Sequence, residues 1–460
     1  MGYNYGMNII TVVPITRLKV PPTLSYFTTR EVPIGAVVTV PIRSKNIQAI
    51  VTETRSAEDL KAEIRKAPYE IRKLGKVRAA AFFSAAFIDS CRLLADFYAT
   101  NLGTIMSAIL PDIILENAQR VAPPLPVQSS FLDGAPSPHE TYGVQGDDPD
   151  RMSGWRSLIR QQFARKKSVA IYAPTIEDAR QIYAALEKGI EGYIILLHGG
   201  LSKKKALEAW AKIAGTRHPV VVVATPMFSV LPRGDIQSVV IERENGRGWM
   251  GMKNPYVDHR KIIEAVGRRE RKTVYLSDAI LRAETLYRLE EHEISHGTPF
   301  KWRSISTASD ALVDMKQDAD ILKPSFRILG DEMEDLIRKA HDENSHVFIM
   351  TSRRGLATLT VCDDCESIVS CPKCGTPLVL HVSKQTGRNF FMCHACGERK
   401  SAEETCANCG GHRLSPLGIG TERVRQEIRR KFPGVEVFQI DADTTTTEKQ
   451  IGQAVDAWRN

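Results

Sequence analysis

The sequence predicts a multidomain α/β protein in which a small β-rich domain precedes a parallel α/β domain and a cysteine-rich module. Three observations lead to this prediction. Short β-rich runs, broken by proline and glycine, fill residues 8–54. Between residues 155 and 300, short and continuously apolar runs alternate with helix-like runs, which is typical of βαβ units around a parallel sheet. Eight of the nine cysteines fall between residues 362 and 409, arranged as four C-x-x-C pairs.

The composition is ordinary for a globular protein. The 460 residues are 43% apolar and 25% charged, and the formal net charge is +8. That charge favours an anionic partner, although a solvated basic surface would give the same value. The longest nearly apolar run, residues 79–88, is about half as long as a membrane-spanning helix needs, and no signal segment opens the chain. We therefore expect a cytoplasmic protein without membrane association.

The boundaries of the expected domains follow changes in composition along the chain. A stretch rich in proline, serine and glycine, with little periodicity, is typical of a linker and separates the first two domains. The expected divisions are a β-rich domain with helical cover at 1–112, a linker at 113–150, the parallel α/β domain at 151–300, a connector with one helix at 301–345, and a further α/β region at 346–460 that carries the cysteine module at 360–412.

The four cysteine pairs predict two zinc sites. Each pair can hold one ion from a tight turn, so four pairs complete two tetrahedral sites of four thiolates each, which leave no open position for chemistry. Disulfides are disfavoured in the cytoplasm, and an iron–sulfur cluster is the other alternative. A hairpin-like stretch of 18 residues separates the second pair from the third and would bring those two together. The expected ligands are Cys362, Cys365, Cys406 and Cys409 for one ion, and Cys371, Cys374, Cys393 and Cys396 for the other.

The cysteine module and its flanking segments resemble one family, primosomal protein N′, the bacterial replication-restart helicase. The similar segments are CDDC, CPKCG, CHACG and CANCG in the module, SRRGLATLTVC before it, and GIGTERVRQEIRRKFPGVEVFQIDADTT after it. Near the N-terminus, VPIGAVVTVPI and LLADFYATNLGTIMSAILP resemble the DNA-end-binding domain of the family. The resemblance covers most of the chain.

The resemblance implies a superfamily-2 helicase core that acts at stalled replication forks. Residues 1–112 would be the DNA-end-binding domain and residues 151–300 the first helicase lobe. A partial second lobe would carry the inserted two-zinc ribbon, with the cysteine pairs nested as above. Forked or single-stranded DNA and other replication-restart proteins would be the partners.

The sequence departs from this family where ATP would bind. A phosphate loop needs glycine-curled backbone N–H groups, a lysine and a magnesium-binding hydroxyl. The corresponding residues 143–155 contain no lysine and carry three aspartates, Asp147, Asp148 and Asp150. The acidic motif of the family corresponds to ERENG, with Glu242 and Glu244, and its third motif corresponds to LSDAIL. We therefore expect neither ATP nor magnesium as a cofactor.

Two further departures lie outside the phosphate loop. The last helicase motifs of the family lie beyond the region of resemblance. In the DNA-end-binding domain, Ser25 stands where the family carries an acidic residue.

A basic and aromatic loop at 247–261 corresponds to a family loop that couples DNA to the ATPase. Its aromatic rings are expected to stack on bases, and its cations, which include Arg247 and Arg260, to contact phosphates. An ordinary surface loop with one packed aromatic ring is the alternative. Two arginines beside the cysteine module are further candidates. The expected DNA contacts are Trp249, Lys253, Tyr256, Arg353 and Arg354.

Three functions fit these observations. The first is a DNA-binding replication-restart protein of the primosome with a helicase-like core and no ATPase or helicase activity. The second is an ATP-dependent 3′–5′ DNA helicase of the primosome whose missing motifs are supplied elsewhere. The third is a zinc-ribbon interaction scaffold without DNA binding. The missing loop lysine disfavours the second, and binding to forked DNA separates the first from the third.

Overall fold

The computed structural model divides into two compact units, Met1–Thr307 and Ala308–Asn460. Among its described residues, no helix combines the length and the apolar character that a membrane span requires. The described residues are 7–18, 20–42, 45–57, 71–80, 82–121, 139–231, 233–297, 309, 311–313, 328–351, 359–362, 364–365, 367–382, 389–401, 405–417, 421–441, 445 and 447–459.

The first unit begins with a six-stranded, mainly antiparallel sheet whose order is β5-β2-β1-β4-β3-β6. Alternate residues of its strands face opposite sides, as the two-residue period of a strand requires. Ile10 and Val38 face a small core of their own, whereas Val37 and Ile50 pack against helices. The strands are β1 (Asn8–Pro14), β2 (Leu24–Thr28), β3 (Val37–Ile42), β4 (Lys45–Ser56), β5 (Arg72–Lys73) and β6 (Val77–Ala79).

Among the residues described between positions 71 and 121, four helices cover the second face of this sheet. The first two begin at side chains that accept backbone N–H groups: Ser84 accepts from Phe87 at 3.1 Å, and Asn101 accepts from Thr104 at 2.8 Å. Cys91 is fully buried in this helical layer. The helices are α1 (Ala85–Phe97), α2 (Leu102–Ile109), α3 (Asp112–Glu116) and α4 (Ala118–Val121).

The same unit continues into a seven-stranded sheet in the order β13-β7-β12-β11-β8-β10-β9, in which all pairings are parallel. Every residue of the central strands β8 and β10 is buried, because helices cover both faces. This confirms the predicted parallel α/β architecture. The strands are β7 (Glu140–Gln145), β8 (Ser168–Tyr172), β9 (Ile194–Leu197), β10 (Val221–Ala224), β11 (Ile236–Glu242), β12 (Thr273–Asp278) and β13 (Ser295–His296).

Five helices cover the parallel sheet. The first two pack on one face with Val169 and Ile171, and the next two pack on the other face, which also meets α1. The helices are α5 (Asp148–Ala164), α6 (Ile176–Leu186), α7 (Lys203–Gly215), α8 (His259–Arg269) and α9 (Ala283–Glu290).

The structure corrects the linker expected at 113–150. Helices α3 and α4 occupy its start, and β7 occupies residues 140–145 near its end. The proline- and serine-rich part, residues 122–138, lies outside the described residues. Strand β7 escaped the composition argument because its sequence, ETYGVQ, contains three polar residues and a glycine without regular alternation, and it resembles a linker when read alone.

The second unit contains two small antiparallel sheets and three helices among its described residues. A two-stranded sheet pairs β14 with β18, and a three-stranded sheet has the order β15-β16-β17. The β15–β16 hairpin confirms the hairpin predicted between the second and third cysteine pairs. Helices α10 and α11 share a core with Leu329. The elements are α10 (Asp331–Asp342), β14 (Leu359–Cys362), β15 (Val379–Val382), β16 (Asn389–Met392), β17 (Arg399–Ser401), β18 (Leu414–Leu417), α11 (Thr421–Lys431) and α12 (Glu448–Arg459).

Candidate functional site

The first cysteine cluster joins the outer two pairs. The Sγ atoms of Cys362, Cys365, Cys406 and Cys409 all lie within 4.8 Å of one another. Cys362 Sγ is 3.5 Å from Cys409 Sγ, and Cys365 Sγ is 3.7 Å from Cys406 Sγ. Strand β14 ends at Cys362, which pairs with Leu414 of β18, so the two-stranded sheet holds the two ends of the module together.

The second cluster joins the inner two pairs beside the β15–β16 hairpin. The Sγ atoms of Cys371, Cys374, Cys393 and Cys396 also lie within 4.8 Å of one another. Cys371 Sγ is 3.5 Å from Cys396 Sγ, and Cys374 Sγ is 3.4 Å from Cys393 Sγ. Phe391 of β16 packs beside Cys371 and Cys393 in a small core. The structure thus brings together the same pairs that the sequence analysis joins.

Glycines shape three of the four cysteine turns. Gly375, Gly397 and Gly410 each follow the second cysteine of a pair, with φ angles of 72°, 78° and 73°. Each donates its N–H to the carbonyl of the first cysteine of its pair at 2.9 Å. A side chain at these left-handed positions would be strained, whereas glycine adopts them readily. The turn therefore directs both thiols of a pair toward one point.

The donor set and its spacing fit a tetrahedral metal ion. Zinc–sulfur bonds of about 2.3 Å place the sulfurs of a tetrahedron about 3.8 Å apart, close to the distances observed here. Each cluster could therefore hold one ion.

The second candidate region is the carboxyl-terminal edge of the parallel sheet, where β7, β12 and β11 end side by side. This is the edge at which parallel α/β proteins bind ligands. The three segments that the sequence analysis compared with ATP motifs meet here. They are the turn after β7, the ERENG segment, which begins at the last residue of β11, and the LSDAIL segment at the end of β12.

The side chain of Arg151, from the first turns of α5, fills the space between these strand ends. Arg151 Nε donates to Glu242 Oε1 at 2.7 Å, and its other nitrogens donate to the Gly146 carbonyl and to Asp148. Trp155 Nε1 and Ser277 Oγ donate to the second oxygen of Glu242 at 2.8 and 2.6 Å. Both oxygens of the Glu242 carboxylate are therefore hydrogen-bonded by the protein itself.

A second arginine closes the outer side of this cluster. Arg243 donates to Asp148 at 2.7 Å and also binds Asp178 at the start of α6. Partial burial would raise the pKa of Asp148, but the charges of Arg151 and Arg243 outweigh it and hold that pKa below its usual value. Asp148 is ionised and paired, and it lies in the first turn of α5, where a negative charge is favoured by the helix dipole.

The backbone and the second acid of ERENG are also engaged. The N–H of Gly146 donates to the Asp278 carbonyl at 3.2 Å. Glu244 is buried and accepts from the Arg282 N–H at 2.9 Å and from Thr285 Oγ1 at 2.8 Å. Burial raises the pKa of Glu244 despite these contacts.

The structure corrects part of the expected DNA-contact set. Trp249 is 0% exposed, and its Nε1 donates to the Arg243 carbonyl at 3.0 Å, so the ring cannot stack on a base. Arg260 is buried between Asp258 and the Glu244 carbonyl and does not reach solvent.

Of the other expected DNA contacts, some are exposed and two lie outside the described residues. Tyr256 is 60% exposed, and Lys253 and Arg247 are exposed on the same loop. Arg353 and Arg354 lie outside the described residues.

Arg151, Trp155 and Arg243 are residues that the sequence analysis did not single out. Arg151 and Trp155 are four residues apart on α5 and therefore share one helix face. An arginine on the apolar face of an otherwise amphipathic helix is a signal of a buried ion pair, but its partner depends on the strand order.

Residues 11–111 match the family model described as the 3′DNA-binding domain. Curated relatives include the replication restart protein PriA of Helicobacter pylori (strain ATCC 700392 / 26695), 22% identical over 440 residues that cover 94% of this chain and 66% of that protein. PriA of Rickettsia felis is 24% identical, with coverage of 93% and 66%, and PriA of Haemophilus influenzae is 23% identical, with coverage of 67% and 41%. The chain spans at most about two thirds of the length of these relatives.

Similar solved structures include a C-terminal domain of Saccharomyces cerevisiae Dbp5 bound to Gle1 and IP6, 15% identical, covering 35% of this chain and 88% of that chain, with a TM-score of 0.26. Another is the Escherichia coli DEAD-box protein SrmB bound to RraA, 19% identical, with coverage of 38% and 99% and a TM-score of 0.24.

Proposed function

We propose that this chain, which is similar to the replication restart protein PriA over most of its length, is a DNA-binding replication-restart protein without ATPase or helicase activity. In this proposal, residues 11–111 and the exposed loop around Tyr256 contact forked or single-stranded DNA. Two structural zinc ions hold the cysteine module, and the parallel sheet is a helicase-like lobe that does not bind nucleotide.

The Arg151–Glu242 pair is the observation that supports the loss of ATPase activity. A nucleotide triphosphate needs a concave loop whose N–H groups point inward and whose lysine neutralises the phosphates. Here the Arg151 side chain occupies the inside of the turn, and its charge is already compensated by Glu242 and Asp148. The acids of the turn add negative charge, which would repel phosphate.

Zinc is proposed for the two cysteine clusters because four thiolates in a tetrahedral arrangement are the donor set of structural zinc sites. Such sites contribute to folding and leave no coordination position for substrate. The role assigned to zinc is therefore to hold the module in shape, so that its surface can meet DNA or another restart protein.

ATP hydrolysis by the full chain tests the enzymatic part of the proposal. We expect no turnover above background, with or without forked DNA. Gly146→Ala is a suitable companion variant, because the nearest atoms to an added Cβ are 3.9 Å away and the fold should tolerate it. DNA-stimulated hydrolysis that Gly146→Ala weakens would establish a working nucleotide loop and the helicase alternative.

Binding to fluorescently labelled DNA tests the DNA-binding part of the proposal. We expect the full chain to prefer forks and partly single-stranded DNA over blunt duplex, without sequence preference. Tyr256→Ala should weaken binding to single-stranded regions by about 1–3 kcal/mol, the usual contribution of one stacked base. Tyr287→Ala is the matched control, since Tyr287 is 59% exposed on α9 and has no proposed role.

The outcomes of the binding experiment separate two of the functions. Absence of DNA binding at low salt would overturn the DNA-binding proposal. The third function, a zinc-ribbon interaction scaffold without DNA binding, would then take its place. Equal loss for both tyrosine variants would remove Tyr256 from the interface while leaving DNA binding itself in place.

A further inference from the structure

The amino-terminal edge of the parallel sheet, opposite the edge that holds Glu242, carries a cluster of cations. Helix α5 ends just before β8, and α8 ends just before β12, so both helix ends lie at this edge. Five exposed cationic side chains occupy the last turns and the residues that follow them, and in the described part of the chain no ion pair engages them. We call them the amino-edge patch: Arg165, Lys166, Arg268, Arg269 and Arg271.

The patch extends around the edge of the sheet. Strand β11 lies between β8 and β12, so the two chain segments that supply the patch enter the sheet about 10 Å apart. Helices α5 and α8 pack on opposite faces of the sheet, and their ends approach this edge from both sides. Gln237 of β11 donates its side-chain N–H to the Arg271 carbonyl at 3.0 Å, which ties one half of the patch to the central strand.

The acids near the patch leave most of its charge uncompensated. Asp235 pairs with Arg233 at 2.6 Å, and Glu270 pairs with Lys272 at 2.6 Å. Glu140 keeps its negative charge while it accepts a hydrogen bond from the Tyr142 hydroxyl, so it offsets at most one of the five cations. The patch therefore presents net positive charge to the solvent.

A simpler explanation for such cations is stabilisation of the helix ends. A positive charge in the last turn of a helix interacts favourably with the helix dipole. The helix dipole, however, acts only on charges within the last turn, and a single cation there is enough to gain its stabilisation. Five cations from two helix ends on both faces of one edge exceed what the dipoles require, and their mutual repulsion favours an anionic ligand.

We propose that the amino-edge patch binds the phosphates of a duplex arm of the DNA, an inference that rests on the proposed DNA-binding function. The patch lies on an edge and not in a cleft, and its members are cations without aromatic rings. That chemistry suits phosphates along a duplex, whose charge density is one per about 1.7 Å of helix axis, and does not suit base stacking. The patch thus adds a DNA contact at the amino-terminal edge of the sheet, opposite the edge that holds Glu242.

The helix ends offer a way to remove charge without harming the fold. Lys166 and Arg271 have φ angles of 57° and 53°, and the residue after each donates its N–H to a carbonyl five residues back, at 2.9 and 2.8 Å. This is the Schellman closure, in which glycine is the favoured residue at the left-handed position. Lys166→Gly with Arg271→Gly should therefore fold at least as stably as the native chain while losing two cations.

The control variant removes the same charge elsewhere. Arg180→Gln with Lys339→Gln changes two exposed cations on α6 and α10, outside the patch. Each full-length protein is titrated with a labelled blunt duplex over a range of salt concentrations, and its stability is measured by urea unfolding.

We expect the slope of log binding constant against log salt to be shallower by about 1.8 for the double glycine variant, because each lost duplex contact accounts for about 0.9. Between roughly 50 and 200 mM salt, the native chain should lose about tenfold more affinity than this variant. The control should keep the native slope. A double glycine variant with native slope and affinity would overturn the inference and leave the proposed function standing, whereas a native chain that binds no DNA would overturn both.

Discussion

At the scale of single residues, Arg151 and Glu242 form an ion pair whose side chains are only 2% and 0% exposed. Removing one member leaves the other charge buried without a partner, which usually costs about 3–5 kcal/mol. We predict that Arg151→Met lowers the free energy of unfolding by about this amount. Adding Glu242→Gln to Arg151→Met should recover part of the loss, because no uncompensated charge then remains.

A urea-unfolding double-mutant cycle measures this coupling. The exposed pair Arg92–Asp89, at 2.8 Å, is the control, and Arg92→Met should change the free energy of unfolding by less than about 1 kcal/mol. Additive effects of Arg151→Met and Glu242→Gln would contradict the prediction.

His259 predicts a loss of stability in mild acid. Burial lowers its pKa from the ordinary 6.5 to about 4, so the unfolded chain takes up a proton that the folded chain refuses. Stability should therefore be fully present above pH 6.5 and should fall by up to about 1.4 kcal/mol per unit between pH 6.5 and 4. Urea unfolding at a series of pH values, followed by tryptophan fluorescence, measures the slope.

His259→Gln should flatten that slope, since glutamine has no titratable group. His292→Asn is the control, because His292 is exposed at a φ of 56°, which asparagine tolerates. If His259→Gln keeps the native pH dependence, another group is responsible for it.

The burial of Trp249 is a feature that the sequence does not predict. The sequence identifies a loop with aromatic and basic residues, and it also allows one of the rings to be packed. Which ring is packed depends on contacts beyond the loop, because Trp249 closes over the Arg243 carbonyl while Tyr256 remains outside. Local composition contains no information about that choice.

At the scale of elements, the cysteine module is built around its eight clustered cysteines. Strand β16 and the inner cysteine pairs share a core that contains Phe391, so the inner cluster and the small sheet depend on each other. We predict that Cys371→Ser reduces the zinc content from two ions to one and unfolds β15–β17, because metal binding in such modules is folding free energy. Metal analysis and hydrogen exchange of the ribbon measure the two effects.

Cys91→Ala is the matched control, since Cys91 lies in the helical layer of the first unit and should leave the zinc content unchanged. The clusters share no ligand. Loss of both ions from Cys371→Ser would therefore show that the two sites fold as one, contrary to the prediction.

The elements differ in how well the sequence predicts them. Buried parallel strands such as β8 and β10 are continuous apolar runs, and such runs are readily recognised as strands in the sequence. The cysteine spacing and the hairpin between the inner pairs are equally explicit. Strand β7 is the exception, because it is partly polar and becomes a strand through pairing with β12 along six residues.

At the scale of the whole molecule, the division into two units predicts a selective response to metal removal. All eight clustered cysteines belong to Ala308–Asn460. We predict that a strong chelator increases hydrogen exchange in the cysteine module and leaves the parallel sheet of Met1–Thr307 protected. Hydrogen exchange with peptide resolution measures both, and restored protection after zinc addition is the control. Exposure of β8 and β10 on chelation would contradict it.

The strand order is the part of the site that only the complete fold provides. Arg151, Glu242 and Ser277 are far apart in sequence, and they meet because β12 is placed between β7 and β11. The sequence predicts a parallel sheet but not the order of its strands. It therefore predicts a lost phosphate loop without predicting the side chain that fills it.

The buried Arg151–Glu242 pair also limits how this edge of the sheet can change in sequence. Replacing either residue alone leaves the other charge buried without a partner, which lowers stability by several kcal/mol. Replacing both residues together leaves no buried charge behind. Among homologues of this chain, substitutions at positions 151 and 242 are therefore expected to occur as a pair and not one at a time.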